Sequence, residues 1–361
     1  MKKNVPLNVP TYQAEHHPEK EEEMIADAVG VGLQAFFLMT AGSILLAVLT
    51  AEGSISPIIE DFSINFCALM LEAMPFMLIG TLTGGLIEVF LPAKLIERFF
   101  QKGPTSSLFI AGGMGLVMPV CECAIVPIVR RLIIKGVPVP AAITFMLAGP
   151  IVNIIVGWST AVAYTFNWYV VFLRLGCGYV AAVAIGLLFT YLLPLKNHLV
   201  ADILHNSPRT CSCCHPETTV SSWPAKIHHT FRHASEDFLH VGKYLVIGAF
   251  IAAWMRTVVS ISSFNVLGDA PFAAILLMMG LAVVLNLCSE ADAFISASFR
   301  WLLPGSAQMG FMVLGPMLDL KLMMMYLTVF RKKTILLLSL TVFLVVFGLM
   351  VLLELTLPPF V

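Results

Sequence analysis

Five apolar stretches constrain this chain more than any other feature, because each approaches or exceeds the roughly 20 residues that an α-helix needs to cross a bilayer. They cover residues 33–49, 65–91, 168–193, 239–255 and 334–353. Hydrophobic residues make up 58% of the 361 residues and charged residues only 12%, against roughly 25% charged in soluble domains. The mean hydropathy is +0.90. The sequence therefore predicts an all-α polytopic membrane protein with about 7–10 membrane segments and no soluble enzyme domain.

Positive charge near span ends sets the predicted orientation. Loop 51–63 carries acidic residues but no Lys or Arg, which places it outside, and the next turn with Lys94, Arg98 and Lys102 lies inside. Arg130, Arg131 and Lys135 also favour the cytoplasmic side, so one crossing between 102 and 130 does not fit. We therefore predict a re-entrant or broken-helix hairpin over 106–129, with helix breakers at Gly112, Gly113, Gly115, Pro119 and Pro127. A second hairpin is predicted over 271–303.

An internal repeat relates the two halves of the chain. Phe76 and Gly80 match Tyr244 and Gly248 at an offset of 168, Cys121 matches Cys288 at an offset of 167, and Gly149-Pro150 matches Gly315-Pro316 at an offset of 166. The first copy starts outside and the second inside, so the copies are predicted to be inverted. Inverted repeats are typical of secondary transporters that work by alternating access.

Five regions follow from these patterns. The predicted order is an acidic disordered cytoplasmic tail (1–30), an extra N-terminal transmembrane helix (31–50), membrane repeat 1 (64–193), a cytoplasmic Cys/His-rich loop (195–238) and membrane repeat 2 (239–357). The acidic residues before the first apolar run do not fit a basic, cleavable signal peptide.

The strongest candidate site is Cys121-Glu122-Cys123, at the predicted tip of the first hairpin. Thiolates at this spacing can point into one cavity and select soft ions such as Cu(I) and Zn(II). The second hairpin adds Cys288, Glu290 and Asp292. An ionisable residue at mid-bilayer costs about 2.5–3.5 kcal/mol, which marks these acids as functional candidates. The alternative is packing, because a free Cys also behaves as a small hydrophobe; we assign the isolated Cys67 and Cys177 to packing and leave Glu72 open.

The paired Gly149-Pro150 and Gly315-Pro316 are predicted to break or kink their spans. Asn153 and Asp319 occupy matched positions after these breaks and are candidate pathway residues, with Lys321 close enough to neutralise Asp319. A purely structural kink is the alternative.

Loop 195–238 contains a candidate metal-binding tract with six principal residues: Cys211, Cys213, Cys214, His215, His229 and His233. Cys/His tracts of this kind are typical of metal binding, although their spacing matches no structural zinc finger. His229 and His233 share one face if the stretch after Pro224 is helical. The alternative is a polar linker.

At Met118-Pro119-Val120-Cys121-Glu122-Cys123-Ala124, Pro127 and Ala148-Gly149-Pro150-Ile151-Val152-Asn153, the sequence resembles the predicted-permease family that includes ArsP-type organoarsenical efflux proteins. Its Cys-rich loop is similar to that of the family's copper/zinc efflux branch. The resemblance implies export of soft metals or metalloids from the cytoplasm, with Cys121 and Cys123 as ligands, in a bacterial inner membrane.

The combined hypothesis is a metal-exporting permease that works by alternating access. Cys121, Cys123 and Cys288 hold Cu or Zn, and Glu122, Glu290 or Asp292 takes up a proton. Two alternatives stay open: transport of trivalent arsenicals or a sulfur compound, and a membrane thiol oxidoreductase. We expect no enzyme activity, no resident cofactor and no nucleic-acid partner; the partners are the bilayer and the cargo, with a homo-oligomer or accessory subunit left open. The chain has no phosphate-binding loop of the G-x-x-x-x-G-K-[ST] type, so an ion gradient or a separate subunit must supply energy.

Overall fold

The computed structural model describes residues 57–90, 104–118, 120–191, 223–258 and 271–356, and these ranges form an all-α assembly. We number their twelve helices in chain order: α1 Pro57–Phe90, α2 Pro104–Val117, α3 Glu122–Ile134, α4 Val139–Ala148, α5 Ile154–Ala163, α6 Trp168–Tyr191, α7 Trp223–Val258, α8 Pro271–Leu285, α9 Ser289–Ser298, α10 Gly305–Leu314, α11 Leu320–Tyr326 and α12 Lys332–Thr356.

Four helices in the described part of the chain are long and apolar enough to cross a membrane. They are α1, α6, α7 and α12, with spans at Ile59–Leu86, Trp168–Tyr191, Ala234–Thr257 and Lys332–Thr356. Their length follows from runs of Leu, Ile, Val, Phe and Ala that contain few charges. These helices confirm a polytopic membrane protein.

The first hairpin is re-entrant. A short turn joins α3 to α4, and Ile125 near the start of α3 lies against Gly149 at the end of α4, so these two helices are antiparallel. Helix α2 runs parallel to α4, because Leu108 and Thr144 meet the same point of α6 and Gly115 lies against Gly149. The chain therefore reverses between α2 and α3. Helices of 14 and 13 residues are only about 20 Å long, too short to cross a core of about 30 Å.

The second hairpin is built from α8 and α9. Helix α9 is antiparallel to α10, because Asp292 lies against Gly315 and the Ser296 hydroxyl donates to the carbonyl of Gln308 at 3.2 Å.

The two Gly-Pro motifs interrupt their spans as predicted: α4 ends at Ala148 and α5 begins at Ile154, while α10 ends at Leu314 and α11 begins at Leu320.

The order and the packing of six helices recur in the two halves. Helix α2 packs against α4 and α6, and its counterpart α8 packs against α10 and α12. Helix α3 packs against α4, and α9 packs against α10. The pairs α1/α7, α2/α8, α3/α9, α4/α10, α5/α11 and α6/α12 are thus equivalent, as the sequence offsets predict.

Two expectations about helix breakers are wrong. Gly112, Gly113 and Gly115 lie inside α2, where a helix built from small residues can approach its neighbours closely; Gly112 contacts Tyr179 of α6. Pro127 lies inside α3. A proline removes one helix hydrogen bond, and membrane helices tolerate this where neighbouring helices pack around the site. Pro119 lies outside the described residues.

Several predicted regions also lie outside the described residues. They include the acidic tail 1–30, the helix predicted at 31–50, and loop residues Cys211, Cys213, Cys214 and His215. Helix α7 begins at Trp223, so the C-terminal part of the region assigned to loop 195–238 is helical. His229 and His233 lie on this helix, four residues apart.

Helices α1 and α7 form a pair that we call the α1–α7 pair. An aromatic cluster of Phe62, Phe66, Phe250 and Trp254 joins one end. Toward the other end, a side chain added at Gly85 would meet the carbonyl of Thr230, so the backbones touch. The pair packs against α3 and α11.

Candidate functional site

We call α3, α5, α9 and α11 half-helices, because each begins just after an interruption of the helical backbone. Residues at equivalent positions of the repeat occupy their N-cap positions. Cys121 precedes α3 and Cys288 precedes α9, both with extended backbone. Asn153 accepts a hydrogen bond from the Ile155 N–H at 2.9 Å, and Asp319 accepts from the N–H of Leu322. Polar N-caps of this kind satisfy helix donors that lie at membrane depth. The predicted pathway residues Asn153 and Asp319 thus have a structural role as caps.

The two thiols of the first hairpin lie together. Cys121 is half-buried, Cys123 is buried, and their side chains interact. Cys121 also faces a cavity of about 290 Å³ that runs along α1 from Phe76 to Thr83 and includes Met118 and Ile128. The cavity walls are mainly apolar side chains, so it presents one thiol group to a largely hydrophobic space.

The third predicted thiol has a different neighbour. Cys288 interacts with the carboxyl group of Glu72 on α1, which brings Glu72 into the site. Within the described ranges, no group of three or more His, Cys, Asp or Glu side chains is placed to hold a metal ion. This conformation therefore does not assemble Cys121, Cys123 and Cys288 into one ligand set.

A buried ion pair joins the two halves of the chain. Lys321 Nζ lies 3.4 Å from Glu122 Oε1, and both side chains are at most 3% exposed. The Asn286 amide lies against Asp319, and its nitrogen donates to Oδ2 at 2.6 Å in the orientation that satisfies both groups. The ammonium group of Lys321 is thus held together with the polar side chains of Glu122, Asp319 and Asn286 where helices α3 and α11 begin.

A second polar cluster surrounds the fully buried Arg174 of α6. Its guanidinium donates to Thr160 Oγ1 at 2.7 Å, to the carbonyl of Ser289 at 2.7 Å and to the carbonyl of Met312 at 3.2 Å. Asp292 lies in the same region and interacts electrostatically with Arg174. The arginine therefore ties the tip of the second hairpin to the first half of the chain.

Three buried oxygen atoms of these clusters have no hydrogen-bond partner among the described residues. They are Glu122 Oε2, Ser289 Oγ and Asp292 Oδ2. Glu290, the remaining predicted acid, is half-buried on α9. A buried carboxylate oxygen without a donor is costly unless the group is protonated or binds a ligand. The two carboxylate oxygens can therefore take a proton, and all three atoms can contact a cargo group.

A hydrogen-bond network links α5 to the second half. The Tyr164 hydroxyl lies 2.9 Å from both Ser296 Oγ and Gln308 Oε1, and Gln308 Nε2 donates to the carbonyl of Leu303 at 2.9 Å. Together with Arg174, this network joins the helices around the two hairpin tips.

Sequence reasoning missed several of these residues. Arg174 had a clear signal, because it is a lone charge inside the apolar run 168–193. Asn286, Gln308 and Tyr164 had none, since single polar residues in a membrane protein pack in many ways. Asp237 was also missed; it pairs with Arg130 and Arg131 of α3.

Membrane-spanning helices, broken half-helices and polar groups at their junctions define a multi-pass membrane permease. The chain belongs to the family described as predicted permease, the ArsP-type permeases, whose model matches residues 59–355. It is 39% identical to the UPF0718 protein YcgR of Bacillus subtilis over 76% of this chain and 90% of that protein. It is 35% identical, over 75% of this chain and 87% of the relative, to a Streptococcus mutans protein with the provisional name two-component membrane permease complex subunit. No solved structure matches.

Family membership confirms the resemblance on which the sequence interpretation relied, and it indicates a transporter rather than an enzyme. A cell membrane location agrees with the family and with the four spanning helices.

Proposed function

We propose that this permease exports a thiophilic cargo from the cytoplasm and binds it at Cys121 and Cys123. The observation that carries the proposal is the thiol pair, which interacts at the tip of a re-entrant hairpin and adjoins a cavity of about 290 Å³. Soft thiolate ligands select soft ions. A pair of thiols at a backbone break, exposed to a cavity, is better suited to bind than to pack.

Copper is our first candidate cargo. Zn(II) sites are almost always completed to four ligands, and no third Cys, His or acid joins the pair among the residues that the structure describes. Cu(I) needs only a small number of soft ligands, so a site with two thiolates favours Cu(I) over Zn(II). Zinc remains part of the hypothesis through the loop residues Cys211 to His215, which lie outside the described ranges.

A trivalent organoarsenical is the second candidate, and the lining of the cavity favours it. Arsenic(III) with one organic group forms two bonds to thiolates, and its organic group needs an apolar pocket. Phe76, Ile79 and Ile128 supply such walls beside Cys121. A sulfur compound would also suit a thiol site, but no described contact favours it specifically.

Proton coupling is the energy source that we infer. The chain has no phosphate-binding loop of the common ATP-binding type, and Glu122 and Asp292 each carry a buried oxygen without a described partner. Because thiolates are the ligands, proton uptake at the site would weaken metal binding and help release. We further infer an accessory subunit, supported by the name of the S. mutans relative.

A growth and accumulation panel tests the cargo. The wild type is expressed in a bacterial strain that lacks its own copper, zinc and arsenic exporters, and cell metal content is measured with each toxicant. We expect lower accumulation of one cargo, with loss of the effect in Cys121→Ser and Cys123→Ser.

Cys177→Ser is the matched control, because Cys177 is a buried thiol of α6 that has no part in the proposed site. If Cys121→Ser exports as well as the wild type, or if Cys177→Ser is equally inactive, the thiol site is wrong. If no cargo changes in any strain, including one that co-expresses an accessory subunit, export itself is contradicted.

A further inference from the structure

Among the described helices, the α1–α7 pair packs most extensively against one set of half-helices. It packs against α3 and α11, whereas their repeat equivalents α9 and α5 pack mainly against each other. Smaller contacts join α7 to α8, and Cys288 at the start of α9 interacts with Glu72 of α1. By the charge pattern, α3 and α11 lead to Arg130, Arg131 and Arg331 on the cytoplasmic side. The pair is therefore closed over the cytoplasmic half.

Two glycines allow close backbone contacts on this closed side. A Cβ on Gly80 of α1 would lie 2.6 Å from Ala124 Cα, and a Cβ on Gly248 of α7 would lie 2.8 Å from Lys321 Cα. Gly80 and Gly248 are equivalent in the repeat. Their partners are not equivalent, since Ala124 belongs to α3 and Lys321 to α11. The contacts of the two repeats thus differ.

A second set of contacts follows if each helix of the α1–α7 pair packs as its repeat equivalent does in the observed structure. Ala124 is equivalent to Ala291 at the offset of 167, and Lys321 is equivalent to Ile155 at the offset of 166. In the exchanged arrangement, Gly248 meets Ala291 and Gly80 meets Ile155. Ile155 is 52% exposed in the observed structure, which leaves this surface accessible to the pair.

The remaining helices are held together by buried polar bonds. Arg174 and Tyr164 of the first half donate to groups of α9 and α10 in the second half. Breaking these bonds would leave buried donors without acceptors, at about 1–3 kcal/mol each. Helices α1 and α7 pack against each other along their length, from the aromatic cluster at one end to Gly85 and Thr230 at the other. The fold therefore divides into a bonded core and a two-helix unit beside it.

An ion-pair cluster holds the unit on the cytoplasmic side. Asp237 of α7 has a fully buried side chain and pairs with both Arg130 and Arg131 of α3. The repeat equivalents are Leu69 for Asp237, and Ala297 and Ser298 for the two arginines. These residues cannot form an ion pair, so only the observed arrangement is stabilised by an ion-pair cluster at this position.

We propose that the α1–α7 pair is the gate of this permease, that the observed structure is its cytoplasm-closed state, and that Asp237 is the residue that holds it closed. In the opposite state, the pair packs against α5 and α9 through Ile155 and Ala291. The proposal rests on the permease class and on the repeat, and it is independent of the cargo.

Cross-linking in membranes tests the gate. Gly84 of α1 faces Pro127 and Arg131 of α3, and the equivalent pair in the opposite state is Ala252 of α7 with Ser298 of α9. A protein carrying Ala252→Cys and Ser298→Cys is treated with a short bifunctional thiol reagent, and the linked peptides are identified by mass spectrometry. Adding Asp237→Asn is expected to raise the initial rate of this cross-link about 10-fold or more, because a buried ion pair is lost.

Two controls accompany the experiment. Glu60→Gln removes the same charge from an exposed position on α1 and is expected to leave the rate unchanged. Cysteines at Asn65 and Thr257, whose side chains lie 3.5 Å apart within the α1–α7 pair, should cross-link equally in all variants and report that the pair is folded.

The double variant Arg130→Gln, Arg131→Gln removes the positive partners of the same ion-pair cluster. It must also raise the rate of the cross-link between 252 and 298. If the cross-link between 252 and 298 stays at its background rate in both variants while the control at 65 and 257 persists, the gate is contradicted. If one variant loses the control cross-link through misfolding, the other decides the result.

Discussion

Lys321→Met tests whether the buried Glu122 depends on a single cation. The Nζ of Lys321 lies 3.4 Å from Glu122 Oε1, and the other carboxylate oxygen has no partner among the described residues. At this distance two unit charges attract by about 5 kcal/mol with an effective dielectric constant of about 20. Asp319 also interacts with Lys321 but keeps the N–H of Leu322 as a donor. Glu122 is therefore the group that loses its compensation.

We expect Lys321→Met to lower the free energy of unfolding by about 3–5 kcal/mol, the usual cost of breaking one side of a buried pair. Adding Glu122→Gln should restore most of this loss, because a neutral amide needs no cation. Thermal unfolding of the detergent-purified single and double variants measures both effects, and a shift of roughly 2–4 °C per kcal/mol is typical of domains of 150–250 residues.

The reasoning fails if Lys321→Met is as stable as the wild type, or if the double variant is no more stable than the single one. The first result would mean that Glu122 is neutral without Lys321. The second would mean that the Lys321 side chain stabilises the fold through its packing rather than through its charge.

Two further predictions concern buried contacts. Gly315→Ala places a Cβ 2.8 Å from Asp292 Oδ2 and should cost about 1–3 kcal/mol, whereas Gly280→Ala has open space and should be neutral or stabilising; thermal unfolding of the two variants compares them. Tyr164→Phe removes a buried hydroxyl bonded to two side chains and should cost about 1–3 kcal/mol, while Tyr191→Phe at an exposed site should change stability little; equal losses in both would contradict the network.

The sequence predicted the fold well where the signal was a pattern over many residues. The re-entrant hairpin followed from Arg130 and Arg131, whose charges could not lie across the membrane from Lys102. The breaks after Ala148 and Leu314 followed from the repeated Gly-Pro motif, because a proline cannot continue a helix without loss. Glycines alone misled the interpretation, since Gly112 and Gly115 serve close packing inside α2.

The site was predicted less completely, because its partners come from distant parts of the chain. The Cys121 and Cys123 neighbourhood could be inferred from their spacing. The contact of Cys288 with Glu72, and the contact of Lys321 with Glu122, depend on how α1, α3, α9 and α11 meet in space. No local pattern encodes such a meeting, so only the repeat indicated that the two hairpin tips belong together.

Arg174 has a consequence for how the protein is made. Its two carbonyl acceptors, on Ser289 and Met312, lie 115 and 138 residues further along the chain. A ribosome therefore delivers this charge to the membrane before those acceptors exist, and Thr160 is the one observed acceptor already synthesised. The first half of the chain cannot complete its polar interior during synthesis. Its maturation must wait for the second half, which makes the two repeats partners in assembly as well as in structure.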